Sequence, residues 1–317
     1  MKQIRRLHSK MSLNWVISVV LGCFAAFSHA AQPVEAIFPS LDGTSLKAWV
    51  FVPVEMPSAQ RPVGLKRGTV IAFHGCGGLY ATGGPNKGGL NARHQAMADL
   101  LVAEGYNVVF PDSLTPRGEQ SICAKPIGSR DITQRERRVD ALATLAWVAQ
   151  QPWADKARIA ALGWSHGGSA VLSMTDANNS VVNNFVKNQQ DTGNLMDKLK
   201  FKTAIAFYPG CSDSQKNGYR PNTALTLFLG ADDDWTPPIP CMALAQHLQS
   251  LNLPVELTVF EGAVHDFDNP VGSVRERKDI PSRLHPGRGV MAGANPAARE
   301  KAYAQLKVIL KDALVAP

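Results

Sequence analysis

The most restrictive feature of this chain is the regular alternation, from residue 34 onward, of short β-branched runs with longer segments of helical apolar spacing. Strands separated by helices pair in parallel through crossovers, so the pattern predicts a mostly parallel sheet with helices on both faces. An opening hairpin is predicted from Val34–Pro39 and Leu46–Val52 around Asp42-Gly43. Core strands are predicted at Gly68–His74, Tyr106–Pro111, Ala157–Leu162, Thr203–Tyr208, Ala224–Gly230 and Val255–Phe260. Helices are predicted over Asn91–Glu104, from a capping Asp131, from Ser165, over Pro238–Leu251, and from Asn295-Pro296 to the end. The polar, Asn-rich stretch 176–200 reads as a surface excursion. Residues 263–294 read as one long loop carrying Arg275, Arg277, Lys278, Arg283 and Arg288. No repeat or linker divides the chain, so a single α/β domain is expected over 31–317.

Residues 1–30 read as a signal peptide. A basic stretch to Lys10 precedes the apolar run Leu13–Phe27, and Ser28-His29-Ala30 offers small residues for a cut after Ala30. The apolar run of about 15 residues falls short of the roughly 20 that a spanning helix needs. Val20-Leu21-Gly22-Cys23 loosely resembles a bacterial lipobox, although the apolar continuation Phe24–Phe27 argues against a lipid on Cys23. A periplasmic or secreted protein follows, with no stable membrane insertion after cleavage. The chain has 33 Lys and Arg against 26 Asp and Glu. Four of those positives lie in the leader, which holds no carboxylate, so the remainder carries only +3. A nucleic-acid partner loses its electrostatic support.

Chemistry concentrates at the predicted strand ends. Gly163-Trp164-Ser165-His166-Gly167 fits G-x-S-x-G between a strand and a helix, where a sharp turn exposes a nucleophilic serine. A serine hydroxyl is a poor nucleophile near pH 7 and needs a base held by an acid. The strand ending at Gly230 runs into Asp232-Asp233-Asp234, and the strand ending at Phe260 is followed by His265. The order Ser165, Asp233, His265 is that of the α/β-hydrolase fold, with Asp234 as the alternative acid. After Val70–Phe73, the turn His74-Gly75-Cys76-Gly77-Gly78 exposes backbone amides. With the amide of His166, that of Cys76, or alternatively Gly77, makes a candidate oxyanion hole.

These stretches resemble the dienelactone hydrolase family, in its larger exported branch. The resemblance rests on HGCGG at 74–78, PDSLTPRG at 111–118, GWSHGG at 163–168, GADDDWTP at 230–237 and EGAVHDF at 261–267. It implies a single-domain α/β-hydrolase that cleaves esters or lactones without a cofactor, and it places the acid three residues after Gly230, on Asp233. The founding members use Cys as nucleophile where this chain has Ser165, which weakens transfer of the dienelactone substrate and leaves the triad esterase reading untouched. The Asp-rich stretch is shared with peptidases of the prolyl-oligopeptidase kind. Those usually carry a propeller ahead of the hydrolase domain, and the roughly 40 residues before the first core strand are too few for one. A catalytically silent binding protein is the other rival, but it would be expected to have lost a triad member.

Further readings carry alternatives. Arg117 can pair with a substrate carboxylate, or else form a loop-stabilising ion pair with Asp112 or Asp131. Trp164 and Trp235 can shape the pocket or pack against neighbouring strands. His74 reads as structural, and His94, His247 and His285 lack metal-like spacing, so no metal is assigned. Without Cys23, four cysteines remain in an exported chain. Their places at the predicted strand ends favour Cys76–Cys123 and Cys211–Cys241; four buried thiols are the alternative.

Overall fold

The computed structural model describes residues 33–53, 67–188 and 199–315. The expected signal peptide, with Cys23, lies outside them. Strands β1 (Val34–Pro39) and β2 (Ser45–Phe51) pair antiparallel around a turn that Gly43 closes at φ +86°. They join one edge of a sheet with β3 (Arg67–Phe73), β4 (Asn107–Asp112), β5 (Ala154–Trp164), β6 (Thr203–Phe207), β7 (Ala224–Gly230) and β8 (Val255–Phe260). The order is β1-β2-β4-β3-β5-β6-β7-β8, and β3 to β8 all run parallel. Their carboxyl ends therefore share one edge, where open parallel sheets bind ligands.

Alternation along each strand separates two cores. Ile71 and Phe73 of β3 pack with Ala141, Leu145 and Val148 of α2 (Gln134–Ala149) and with α3 (His166–Met174) and α6 (Ile239–Ser250). Val70 and Ala72 face the other way, onto Met97, Ala98 and Leu101 of α1 (Ala92–Ala103) and the 19-residue α7 (Pro296–Leu314). Asn295 caps α7 and Pro296 occupies its first turn, as the sequence predicts. Among the described residues, no helix is long and apolar enough to cross a membrane.

Three local expectations change. Helix α2 starts from Thr133, not Asp131, because Glu136 completes a reciprocal capping box with it. The polar excursion holds a short helix, α4 (Ser180–Asn188); a five-residue helix, α5 (Ser212–Lys216), follows β6. The loop 263–294 contains an antiparallel hairpin, β9 (Arg275–Pro281) with β10 (Gly289–Ala292), of which β9 is highly charged and shows no alternation and β10 is a short apolar run. Both disulfides are formed with the expected pairing, Cys76–Cys123 and Cys211–Cys241.

Candidate active site

Ser165 stands between β5 and α3 at φ 51°, ψ −117°, a conformation that a side chain adopts only when its surroundings enforce it. Its amide donates to Phe207 O at 2.9 Å and its carbonyl accepts from Ser169 N at 2.8 Å. The flanking glycines allow this. A Cβ on Gly163 would lie 2.4 Å from Gly167 O, and one on Gly167 would lie 2.0 Å from Phe73 O.

The acid and base arrive from β7 and β8. His265 Nε2 lies 3.0 Å from Ser165 Oγ, and His265 Nδ1 lies 2.8 Å from Asp233 Oδ2. All three are shielded from water, at 7%, 1% and 2% exposure for Ser165, His265 and Asp233. The other oxygen of Asp233 accepts the amides of Trp235 and Thr236, both at 2.9 Å, so the carboxylate cannot swing away. Thr236 Oγ1 donates to Tyr208 O at 2.9 Å and lies 3.0 Å from both Asp233 Oδ2 and His265 Nδ1. Burial works to lower the His265 pKa, but the Asp233 charge and hydrogen bond, helped by Asp266, leave it above the ordinary 6.5. The rings of Tyr208 and Trp235 each stand 4.6 Å from the imidazole.

The glycine-rich turn after β3 lies against the elbow. A Cβ on Gly75 would meet Trp164 O at 3.4 Å and Ser165 Cβ at 3.6 Å. Among the described residues the Cys76 amide has no backbone acceptor, and the His166 amide opens α3, where a helix leaves its first donors unpaired. His74 is fully buried: its Nε2 accepts from Ser113 N at 3.2 Å and its Nδ1 donates to Gly75 O at 2.8 Å. Burial, then the Arg137 charge, hold it neutral by driving its pKa well below 6.5. Arg137 is itself fully buried, donates to His74 O at 2.8 Å, and is pushed down to about 10 by burial. The sequence signal for it is position: Arg137 stands four residues before Ala141 on the apolar face of α2.

Three expected substrate contacts sort differently. The Arg117 guanidinium grips both oxygens of buried Asp140 at 2.8 Å and Asp42 at 2.7 Å, so it is committed to an ion pair and not free to meet a substrate. Its partners are Asp140 and Asp42, not the anticipated Asp112 or Asp131. Trp164 points into the core, where its indole donates to Asp268 Oδ2 at 2.7 Å, and does not line the site. Trp235 does stand at the site, against His265, with the Arg277 guanidinium 5.5 Å from its centroid. Asp234 accepts from Met291 N at 2.7 Å, away from the imidazole. The hairpin roofs this region: Ile280 and Val290 cluster with Cys76, Leu114, Ile122, Cys123 and Ile132, and Trp235 packs against them. Thr236, Tyr208 and Asp268 escape sequence reading, because nothing in their local spacing marks them. Among the described residues, no three His, Cys, Asp or Glu side chains gather closely enough to hold a metal ion.

A mostly parallel eight-stranded sheet, with serine, acid and histidine brought together from three strand ends, defines an α/β-hydrolase. The chain matches the prolyl oligopeptidase family over residues 95–282 and belongs to that family. The match agrees with the expected dienelactone hydrolase-like α/β-hydrolase, whose Asp-rich stretch at 232–234 the prolyl oligopeptidase kind shares. No match is found among the curated proteins. Among solved structures, a dienelactone hydrolase-like promiscuous phosphotriesterase from metagenomic libraries is similar with TM-score 0.59 and 16% identity, over 90% of this chain and 99% of that chain. Esterase 2 of Thermogutta terrifontis, phosphorylated by paraoxon, gives TM-score 0.57 and 17% identity over 90% of this chain and 96% of that chain. Dipeptidyl peptidase 4 of Porphyromonas gingivalis gives TM-score 0.57 and 16% identity over 90% of this chain but only 36% of that chain. At such identities the shared property is the fold.

Proposed function

We propose that this protein is an exported serine hydrolase that cleaves carboxylic esters or lactones. The observation that carries this reading is the unbroken line from Ser165 Oγ through both nitrogens of His265 to Asp233, with steps of 3.0 and 2.8 Å. Ser165 Oγ attacks the acyl carbon while His265 Nε2 takes its proton. Asp233 holds the Nδ1–H tautomer and stabilises the imidazolium. The amides of His166 and Cys76 receive the oxyanion of the tetrahedral intermediate. His265 then protonates the leaving alkoxide, and the acyl-enzyme forms. A water activated by the same imidazole attacks the acyl carbon, and Ser165 leaves with the returned proton. Esters are favoured over peptides because the esterase-like neighbours are matched over 96% and 99% of their own chains. The two disulfides agree with an oxidising compartment, hence with export.

Family membership favours one second reading, a serine peptidase with the same triad. Short p-nitrophenyl esters and prolyl peptide p-nitroanilides, offered to wild type and to Ser165→Ala, test both. The expected result is ester turnover by wild type that Ser165→Ala loses by about 10⁴ or more. Turnover retained by Ser165→Ala overturns the mechanism, and anilide hydrolysis without ester hydrolysis selects the peptidase.

A further inference from the structure

We infer that Asp268 is a positioning residue for the proposed triad, tying the residue before Ser165 and the ring beside His265 to the turn that carries His265. This rests on the triad reading above. Asp268 is a fully buried carboxylate three residues after the histidine. Its Oδ2 accepts the Trp164 indole at 2.7 Å, and its Oδ1 accepts the Tyr208 hydroxyl. Its backbone oxygen accepts the Tyr303 hydroxyl at 3.2 Å, which anchors the turn to α7. Arg93 supplies the countercharge, 3.5 Å from Asp268 Oδ1 and 2.7 Å from the neighbouring Asp266.

What these bonds hold is strained. Ser165, next to Trp164, has φ 51°, and Tyr208, directly after β6, has φ 37°. Both lie in the region that residues with side chains avoid, so tertiary contacts must keep them there. Tyr208 touches the chemistry from two sides. Its ring stands 4.6 Å from the imidazole, and its carbonyl receives Thr236 Oγ1, which lies 3.0 Å from both His265 Nδ1 and Asp233 Oδ2. One carboxylate thus fastens the ends of β5 and β6 to the histidine turn. A displacement of an ångström between such groups costs far more in rate than in binding. Asparagine keeps one acceptor oxygen for the Trp164 indole, but it meets the Tyr208 hydroxyl only as a donor, with that bond reversed, and it removes the charge that Arg93 balances.

The test is steady-state ester hydrolysis by wild type, Asp268→Asn, Tyr208→Phe and the double variant, with near-ultraviolet circular dichroism confirming the native fold. Asp268→Asn is expected to lower kcat at least tenfold with KM within about threefold of wild type. Tyr208→Phe is expected to lower kcat by a smaller factor, and the double variant to be no slower than Asp268→Asn alone, because both remove one linkage. If Asp268→Asn does not fold, Tyr208→Phe, which removes only a hydroxyl, carries the test through the same split. Unchanged kcat in folded Asp268→Asn, or in Tyr208→Phe when that variant carries the test, overturns the inference. So do losses that multiply independently, or a loss that tracks only the folded fraction. Failure of the triad reading itself shows separately, as wild type that neither turns over esters nor labels at Ser165 with a fluorophosphonate, and the inference then falls with it.

Discussion

His265 Nδ1 stands 2.8 Å from Asp233 Oδ2 with both groups almost excluded from water, and this pairing outweighs burial in setting the charge of the imidazole. The base must be neutral to accept the serine proton. The kcat/KM for an ester is therefore expected to rise with pH along a limb whose midpoint lies above 6.5. Asp233→Asn should move that midpoint down and lower kcat by about 10²–10⁴, read from pH–rate profiles of the two proteins. Because the folded pKa is the higher one, the charged pair stabilises the fold fully below pH 6.5. That contribution is lost as the pH rises through the folded value.

Acid should destabilise the protein through histidines of the opposite kind. His74 is driven well below 6.5, and His94 to about 3, in each case first by burial and then by a neighbouring arginine. Below pH 6.5 the unfolded chain takes up protons that these folded imidazoles refuse, so stability falls by up to about 1.4 kcal/mol per pH unit for each. Urea midpoints measured from pH 7 to pH 5 should fall accordingly, and His94→Gln should flatten the slope.

Arg117→Ala separates a structural arginine from a substrate-binding one. Removing it leaves buried Asp140 without its bidentate partner, a loss of about 3 kcal/mol by the behaviour of broken buried pairs. The expected outcome is a lower denaturant midpoint with KM within twofold of wild type. A KM that rises tenfold for anionic esters alone would return Arg117 to the substrate.

The Cys76–Cys123 bridge closes a span of 47 residues onto the turn that offers the Cys76 amide. Cys123→Ser, assayed under oxidising conditions, is expected to lower stability by about 2–4 kcal/mol. It should also lower kcat about tenfold, since a loosened donor stabilises the oxyanion poorly. The complementary Cys211→Ser, with a bridge farther from the turn, should lower the melting temperature while leaving kcat within twofold.

The parallel core is readable in the chain because strands buried on both faces appear as short apolar runs, and glycines mark where they stop. Ser165, Asp233 and His265 are readable for the same reason: each follows such a run. What stays hidden depends on residues remote in sequence. Asp42 and Asp140 lie 75 and 23 positions from Arg117, so no local pattern announces their grip on it. Strand β9, Arg-Glu-Arg-Lys-Asp-Ile-Pro, is mostly exposed and alternates too little to look like a strand. Trp164 does follow a readable rule, because it shares a face with Ala160 and Leu162 and so turns into the core.

The hairpin β9–β10 has one end fixed to the base: Gly293 N donates to His265 O at 2.9 Å, and Ala292 bridges to His265. Its far turn, residues 282–288, is mostly exposed. The segment thus works like a visor riveted at one temple, whose brim can be recut in length without loosening the rivet. Lengthening or trimming that brim would leave the bond and the bridge at His265 in place, so the exposed turn can vary in length without shifting the imidazole.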